Sequence, residues 1–395
     1  MSTEQFSKVV VGSKKNEAIE RFHPWVFSGA IKKVYGPVTD GDIVEVYSNK
    51  EKFLALGHYQ NGSITVRLFS WEQQNPDKNF WLLRLKSALD YRKTLGLLDN
   101  KNTNVFRLVF AEGDNMPGFI ADYYNGTCVL QFHSIGMYLM RQLITDCLKE
   151  LLGDKLTCVY DKSAETLGKS NKSIQNEFLL GNTESTIVLE NNNQFKVDWI
   201  NGQKTGFFID QRDNRELVGK YAKGKKVLNT FCYTGGFSIY ALQQGAEFVH
   251  SVDSSAKAME MVDENVKLNG FTDNHTSYTS DVFDFLKDAD DKYDLIILDP
   301  PAFAKHRDVM HNAVQGYKRL NTEAFRKIKK GGILFTFSCS QVIQRRMFID
   351  TVLSAAILAG RKVRVMHHLS QPADHPFSIY HPEGEYLKGL VLHVE

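Results

Sequence analysis

The stretch "VLNTFCYTGGFSIYAL", residues 227–242, decides the fold of the C-terminal half of the chain. An apolar run leads into two adjacent glycines, Gly235 and Gly236, and a second apolar segment follows them. A strand, a tight glycine turn and a helix in this order begin many nucleotide-binding domains. The turn lacks the G-x-G-x-x-G pattern that usually holds a diphosphate at a helix N-terminus. The stretch therefore predicts an α/β domain and makes a diphosphate a weak choice of ligand.

Strand patterns recur along the rest of this half of the chain, from about residue 186 onward. They are "KKVLNTFC", "EFVHSVDS", "HTSYTSDV", "YDLIILDPP", "GILFTFSCS", "VRVMHHLS" and "LKGLVLHVE". Helical patterns such as "AKAMEMVDENVKLNG" and "YKRLNTEAFRKIKKGG" separate most of them. This alternation predicts a parallel sheet with helices on both faces.

The N-terminal half has a different pattern. Residues 1–75 contain "DIVEVYS", "FLALGHY" and "ITVRLFS", separated by turn signals, which predicts a small β module. Residues 76–185 mix two amphipathic helical patterns with a hairpin around "YYNG", which predicts a small α+β domain. With residues 186–395 as the α/β domain, the sequence predicts three domains.

Composition excludes several classes of protein. The 395 residues are 43% hydrophobic and 24% charged, and neither a membrane span nor a secretion signal is visible, so we expect a cytosolic protein. None of the five cysteines lies in a CxxC pair, so no disulfide framework and no metal site is predicted. The net charge of +2 does not indicate nucleic acid, but residues 305–330 carry eight Lys and Arg against two acids.

Polar side chains stand at the predicted carboxyl ends of the strands, where open α/β sheets bind their ligands. Asp253 follows the glycine turn by about 20 residues, the distance at which a carboxylate can accept both hydroxyls of a ribose. Asp281 either accepts an adenine amine or caps the next helix. S-adenosylmethionine has adenine, ribose and an amino-acid end but no phosphate, and so fits the short turn. The predicted cofactor site comprises Asn229, Tyr233, Thr234, Gly235, Gly236, Asp253, Asp281 and Asp299.

Several stretches resemble known enzymes. The run "NTFCYTGGFSIYAL", Asp253, "DPPAFAK" and "GGILFTFSCS" resemble class I methyltransferases that use S-adenosylmethionine. The stretches "QKTGFFIDQRDNR" (203–215), "HPWVFSGAI" (23–31) and "ADHPFSIYHPEGEYLKG" (373–389) narrow the match. Together they resemble the large-subunit ribosomal RNA cytosine-5 methyltransferases that carry an N-terminal PUA domain.

The resemblance covers nearly the whole chain and implies an identity for each of the three predicted domains. It implies a β-rich PUA domain over 1–75 and a connecting domain over 76–185. It implies a Rossmann-like class I methyltransferase domain with a seven-stranded, mostly parallel sheet over 186–395. The implied substrate is large-subunit (23S) ribosomal RNA or an assembly intermediate that contains it. The oligomeric state stays open, a homodimer included.

The resemblance also implies covalent chemistry. Carbon-5 of cytosine is a poor nucleophile until a thiolate adds to carbon-6. Cys339 matches the family's nucleophile in "SCS", and Asp299 faces the ring nitrogen-3. Gln211 and Arg212 are expected at the amino-acid end of the cofactor, Arg212 as partner of its carboxylate. The second cysteine of many relatives is absent from "DPPAF", so the base that removes the carbon-5 proton stays open between Asp299, Lys305 and water.

RNA contact is expected at two basic regions, residues 21–33 and 305–330. Phe303 either stacks on the target base or packs in the core. From its residues alone, the first region could equally be a hydrophobic anchor with a basic edge. The residues expected at RNA are Arg21, His23, Trp25, Lys32, Lys33, Phe303, Lys305, Arg307, Lys318 and Arg319.

Two alternative functions remain. "DPPAF" also resembles the motif of amino-methyltransferases, in which case Cys339 is a bystander and an RNA purine nitrogen is methylated. The chain could also be an RNA-binding ribosome assembly factor with an idle methyltransferase domain. Full activity in Cys339→Ala would favour the first alternative over the cysteine mechanism. Absence of cofactor binding would favour the second alternative over an active enzyme.

Overall fold

The chain forms two compact units in the computed structural model, which describes residues 6–168, 173–289, 292–304 and 307–395. The first unit comprises Met1–Thr186, Val197–Phe207 and Ala373–Gly384. The second comprises Ile187–Lys196, Phe208–Pro372 and Glu385–Glu395. No helix among the described residues is long and apolar enough to cross a membrane.

The elements up to residue 180 all belong to the first unit. Its strands are β1 (Ser7–Val11), β2 (Trp25–Phe27), β3 (Ile31–Tyr35), β4 (Ile43–Tyr47), β5 (Phe53–Tyr59), β6 (Ile64–Ser70), β7 (Val105–Phe110), β8 (Phe119–Tyr124), β9 (Thr127–Phe132), β10 (Cys158–Asp161) and β11 (Glu177–Leu180). Its helices are α1 (Glu17–Glu20), α2 (Lys78–Thr94), α3 (Ile135–Leu139), α4 (Arg141–Leu152) and α5 (Ala164–Leu167).

The remaining elements follow in chain order. The strands are β12 (Ser185–Glu190), β13 (Asn193–Asp198), β14 (Lys226–Thr230), β15 (Phe248–Asp253), β16 (His275–Thr279), β17 (Tyr293–Leu298), β18 (Ile328–Ser338), β19 (Val363–Leu369) and β20 (Lys388–Val394). The helices are α6 (Arg212–Ala222), α7 (Gly236–Gln243), α8 (Ala256–Leu268), α9 (Val282–Asp288), α10 (Met310–Lys327) and α11 (Arg345–Leu358).

The first unit contains two sheets. One has the order β2-β6-β5-β4-β1-β3, and the other has the order β11-β10-β9-β8-β7. Alternating residues of the first sheet, Val44 and Val46 among them, are fully buried, as expected when one face of a sheet covers a core. Leu56 and Phe69 of this sheet share an apolar cluster with Trp81 of α2. The two predicted N-terminal segments therefore pack around a common core.

The second unit contains the seven-stranded sheet, with the order β16-β15-β14-β17-β18-β20-β19. All neighbouring strands are parallel except that β20 runs antiparallel to β18 and β19. The central strand β17 is fully buried from Leu295 to Leu298, because helices cover both faces. The predicted mostly parallel sheet is confirmed, and the carboxyl ends of β14 to β18 lie along one edge.

One boundary differs from the sequence-based expectation. The helical pattern "YKRLNTEAFRKIKKGG" was expected to reach Gly332, but α10 ends at Lys327 and β18 begins at Ile328. Ile328 is buried and pairs with Tyr293 of β17. Tertiary pairing with a buried strand therefore prevails over the local helical pattern here.

Candidate active site

The glycine loop joins β14 to α7 and has an unusual backbone. Phe231, Tyr233 and Gly235 all have positive φ, at 55°, 47° and 81°. Positive φ is costly for residues with a side chain and persists where the surroundings enforce it. The Tyr233 N–H donates to Asp253 Oδ2 at 3.1 Å, and the Asn265 side-chain amide donates to the Thr234 carbonyl at 2.9 Å. These two hydrogen bonds fix the glycine loop to the end of β15 and to α8.

A buried ion pair, between Arg215 and Glu190, packs against the glycine loop at Gly236. Arg215 donates through Nε and Nη2 to the two oxygens of Glu190, at 2.8 and 2.7 Å, and through Nη1 to the Phe208 carbonyl at 2.8 Å. A Cβ added to Gly236 would lie 2.9 Å from Arg215 Cδ, so the second glycine is required by packing. The Tyr240 hydroxyl also donates to Glu190 Oε1, at 3.0 Å. This support could not be recognised in the sequence, because Glu190 is distant along the chain.

The acidic residues at the next two strand ends are fixed by backbone amides. Asp253 accepts from Tyr233 N and from Ser255 N at 3.0 Å. Asp281 is the N-cap of α9, and its Oδ1 accepts from Phe283 N and Asp284 N. The capping role considered for Asp281 is therefore present. Asn229 is fully buried and donates to Ser238 Oγ at 2.8 Å, behind the loop. Ligand contacts by these residues stay predictions.

Asp299, after β17, is linked to the segment that precedes α6. Gln211 Nε2 donates to Asp299 Oδ2 at 2.9 Å, and Asn214 Nδ2 donates to Gln211 Oε1 at 2.7 Å. This chain fixes the orientation of the Gln211 amide. Burial and the charge of Asp210 raise the pKa of Asp299 to about 7, although the Gln211 hydrogen bond opposes this. Near neutral pH, Asp299 can therefore carry a proton and donate a hydrogen bond.

Asp210 is a second carboxylate of this neighbourhood. Its Oδ2 accepts from the Tyr386 hydroxyl at 2.6 Å. Its Oδ1 is buried and has no hydrogen-bond partner among the described residues. A buried carboxylate oxygen without a partner is rare and indicates that a donor from a ligand or water completes the site.

Cys339, after β18, is partly exposed at the same edge. Burial, followed by the charges of Asp299 and Asp210, raises the pKa of the thiol to about 12. Both carboxylates are therefore close enough to Cys339 to act on it electrostatically, as expected for groups at neighbouring strand ends. The thiol stays protonated at neutral pH unless a cation stabilises the thiolate.

Lys388 is such a cation. It begins β20, pairs with Ser338 of β18, and its Nζ donates to the Ser340 carbonyl at 2.7 Å. The side chain is buried, which lowers the pKa of Lys388 to about 8, while the charge of Cys339 opposes this lowering. Conversely, Lys388 lowers the pKa of the Cys339 thiol. A lysine poised between its charged and neutral forms thus adjoins the predicted nucleophile.

The loop after Asp299 is anchored to the strand end that carries Cys339. Ser340 Oγ lies 3.2 Å from the Tyr317 hydroxyl and accepts from Ala304 N at 3.4 Å. The Phe303 ring packs on Tyr317 with centroids 4.6 Å apart. Of the two roles considered for Phe303, packing is thus observed, and stacking on a base stays a prediction.

The other predicted cofactor residues lie in the glycine loop or at the start of α6. Arg212 is 6% exposed and Thr234 is 4% exposed, and the Tyr233 ring contacts Phe208 with centroids 5.0 Å apart. Arg212 Nε lies 3.6 Å from Asp213 Oδ1. Its contact with a cofactor carboxylate stays a prediction.

The residues predicted to contact RNA are mostly on the surface. Arg21, Lys32, Lys33 and Arg319 are exposed, whereas His23, Trp25 and Lys318 are half-buried. The Arg319 guanidinium lies 4.6 Å from the centre of the Phe283 ring. Lys305 and the side chain of Arg307 lie outside the described residues. Exposed aromatic side chains that the prediction missed, Phe22 and Phe27, neighbour Trp25 along the chain.

Comparison with known proteins agrees with this arrangement. The family model for S-adenosylmethionine-dependent methyltransferases matches residues 169–377, and that for PUA-like domains matches residues 9–71. Ribosomal RNA large subunit methyltransferase I of Aeromonas hydrophila is 39% identical over 389 residues, which cover 96% of this chain and 97% of the relative. The same-named protein of Alteromonas mediterranea is 37% identical and covers 98% of this chain and 99% of its own length.

The chain belongs to the ribosomal RNA large subunit methyltransferase I family. The predicted family and the predicted cofactor, S-adenosylmethionine, are thereby confirmed. A solved Streptococcus mutans structure assigned as an S-adenosylmethionine-dependent methyltransferase covers 98% of this chain and 99% of its own, with a TM-score of 0.83 and 23% identity. A methyltransferase solved with S-adenosylhomocysteine has the same coverage and identity, with a TM-score of 0.85. These likenesses support the fold.

The sequence analysis missed three groups of the candidate site. They are Lys388, Asp210 with Tyr386, and the Glu190–Arg215 pair. Lys388 and Tyr386 lie in the stretch "EYLKG" that carried part of the resemblance. Nothing in that stretch alone indicates which strand end they face. Their position follows from the antiparallel pairing of β20 with β18.

Proposed function

We propose that the chain methylates carbon-5 of a cytosine in large-subunit ribosomal RNA through a covalent adduct on Cys339. The observation that carries this proposal is the grouping of a thiol, a lysine and a raised-pKa carboxyl group at one edge of the sheet. Large-subunit ribosomal RNA as substrate rests on the names of the full-length relatives.

The residues present fit S-adenosylmethionine. Asp253, at the end of β15, is oriented by two backbone amides, one of which belongs to Tyr233 of the glycine loop. The unpartnered Oδ1 of Asp210 leaves an acceptor for a polar or cationic group. When bound, the cofactor supplies an electrophilic methyl group. We assign its contacts to Gln211, Arg212, Asn229, Tyr233, Thr234, Gly235, Gly236, Asp253, Asp281 and Asp299.

Activation of the nucleophile falls to Lys388. In its neutral form the amine accepts the proton of the Cys339 thiol, which produces an ammonium beside a thiolate. The sulfur can then bond to carbon-6 of the cytosine. A thiol whose pKa burial and two carboxylates raise to about 12 requires such a partner.

Asp299 assists from the other side of the ring. As the sulfur adds to carbon-6, the protonated carboxyl group donates its proton to nitrogen-3, and the electron pair moves to carbon-5. Carbon-5 then takes the methyl group. A base then removes the carbon-5 proton, and Asp299, Lys305 and water stay candidates for it. The electron pair of that C–H bond forms the double bond between carbon-5 and carbon-6, and the sulfur leaves as a thiolate. Release of the proton from nitrogen-3 gives neutral 5-methylcytosine.

RNA binding is assigned to the two basic regions and to the PUA-like domain. The exposed Arg21, Lys32 and Lys33 can neutralise phosphates, and the neighbouring exposed Phe22 and Phe27 can stack on bases. We further assign residues 1–75 to RNA binding, 76–185 to the connecting domain and 186–395 to methyl transfer. Binding should weaken as salt rises, because counterions are released from the RNA.

The decisive experiment combines Cys339→Ala with RNA that contains 5-fluorocytosine. In 5-fluorocytosine, fluorine replaces the carbon-5 hydrogen that a base must remove before the sulfur can leave. The methylated adduct should therefore accumulate on the wild-type chain and be visible as a covalent complex on a denaturing gel. Cys339→Ala should form no complex and no 5-methylcytosine, yet still bind S-adenosylhomocysteine in calorimetry.

Other outcomes identify the alternatives. Full activity in Cys339→Ala, with a methylated purine nitrogen in the mass spectrum, would establish amine methylation. Absence of heat with S-adenosylhomocysteine, together with retained RNA binding, would establish an idle methyltransferase domain.

A further inference from the structure

Three side chains of the first unit lie close together: His23, His381 and Glu383. Their ligand atoms all lie within 4.8 Å of one another. Glu383 Oε2 lies 3.6 Å from His23 Nε2 and 3.8 Å from His381 Nε2. These separations are too long for hydrogen bonds. We propose that the three side chains bind one divalent transition-metal ion, with zinc as the best match.

The burial of His381 is the strongest reason. The side chain is 3% exposed, yet neither ring nitrogen has a hydrogen-bond partner among the described residues. Buried polar atoms in folded proteins almost always have a partner, so two such atoms on one ring require an explanation. An ion between the three side chains would provide a partner for one of the two nitrogens. Trp25 covers His381 edge-on, with ring centroids 4.4 Å apart, which shields the ring from bulk water.

The two separations from Glu383 are close to those around a zinc ion, and the ligand atoms of His23 and His381 lie within 4.8 Å of each other. Zinc binds His nitrogen and carboxylate oxygen at about 2.0–2.2 Å, so two ligand atoms of a tetrahedral site lie about 3.4 Å apart. The observed 3.6 and 3.8 Å exceed this by a few tenths of an ångström. Small rotations of the side chains would close that difference. Three protein ligands leave the fourth position to water.

The other ring nitrogen of His23 has two neighbours on Trp25. Nδ1 accepts from the Trp25 backbone N–H at 3.2 Å and lies 3.3 Å from the Trp25 carbonyl oxygen. Binding of an ion through Nε2 requires the tautomer that carries Nδ1–H, which would donate to this carbonyl in place of the bond from Trp25 N–H. Metal-binding histidines typically donate their other ring N–H to a carbonyl or carboxylate in this way.

Charge around the cluster favours a cation. Glu383 brings a negative charge, and the charge of Glu112 also acts on His381. Glu112 Oε1 accepts from the Trp25 indole N–H at 2.8 Å, so Glu112 holds the covering ring in place. The ion would connect the residues that precede β2 with segment 373–384, both within the first unit. We therefore expect it to stabilise this unit.

The test uses the full-length, untagged protein, freed of metal with a chelator and titrated with ZnCl₂ and CoCl₂. Calorimetry should give one equivalent of zinc per chain, and cobalt should produce visible bands of a low-coordinate nitrogen and oxygen site. Zinc should raise the melting temperature. Glu383→Gln and His23→Gln should each weaken zinc binding at least about 10-fold and reduce the rise in melting temperature.

Glu260→Gln, which changes an exposed carboxylate on α8, is the matched control and should bind zinc like the wild type. Glu383 is itself 47% exposed, so its substitution by an amide of the same size should leave the fold intact. Three results would overturn the proposal: no saturable zinc binding, unchanged affinity in both ligand variants, or a sulfur-to-cobalt charge-transfer band that places the ion at a cysteine. Each result is independent of methyltransferase activity.

Discussion

Two cysteines follow strands of the same sheet, Cys232 after β14 and Cys339 after β18, but their surroundings differ. Cys232 is buried in the glycine loop, with its sulfur 3.6 Å from Met259 Sδ. Burial and the charge of Asp253 raise the pKa of Cys232 well above its usual value. Cys339 is partly exposed and adjoins Lys388. Both cysteines follow a strand, but only Cys339 combines access with a neighbouring cation, which is why the proposed nucleophile is Cys339.

The largest expected effect on methylation comes from replacing one of the two cysteines, Cys339, by alanine, and the other replacement serves as the comparison. Cys339→Ala should lower kcat by at least about 10³-fold, because the covalent route is lost. Cys232→Ala should mainly lower the free energy of unfolding, by about 1–2 kcal/mol, because a packed sulfur is removed. Methylation assays and urea unfolding measure the two effects. A larger loss of kcat in Cys232→Ala would reverse the comparison.

Asp299→Asn should have the next largest effect on methylation. The amide keeps the shape and a hydrogen-bond donor but cannot transfer a proton, so kcat/KM at pH 7 should fall about 10²- to 10⁴-fold. Since the pKa of Asp299 is raised to about 7, its acid form is lost as pH rises through 7. The wild type should show this limb in its pH profile and the variant should not. A limb that persists in the variant would assign it to another group.

Lys388→Met should remove the cation while it keeps the length of the side chain. Without the ammonium the thiolate is less stable, and we expect kcat to fall about 10²-fold at pH 7.5 and to recover in part at higher pH. Exposed Lys257 on α8 provides the control, since Lys257→Met should leave kcat unchanged. An equal loss in both variants would instead indicate a general effect of charge on RNA binding.

The smallest expected effect is on the rate at which the two cysteines react with an alkylating reagent in the absence of RNA. Iodoacetamide should label Cys339 slowly at pH 7 and faster with each increase in pH, because the pKa of its thiol is about 12. Cys232 is buried and the pKa of its thiol is raised well above its usual value, so it should stay unlabelled in the folded protein. Lys388→Met should slow the labelling of Cys339 further. Mass spectrometry of peptides measures both rates, and rapid labelling of Cys339 that plateaus below pH 7 would contradict the assigned pKa.

Much of the fold follows from local patterns. The buried strand β17 was predicted because it leaves the apolar run "LIIL", and the glycine turn is visible because positive φ favours glycine at Gly235. The end of α10 was misplaced, since the pairing of Ile328 with a buried strand has no local pattern. The polar strand ends could be named because parallel strands bring their carboxyl ends to one edge.

The sequence by itself determined the order of the strands' polar ends and therefore which residues, Asp253, Asp299 and Cys339 among them, share an edge. Only the tertiary structure decided that Lys388 adjoins Cys339 and that His23 meets His381. The physical reason is that periodicity records which face of an element is buried, whereas a charge or ligand from a distant segment becomes a neighbour only through packing.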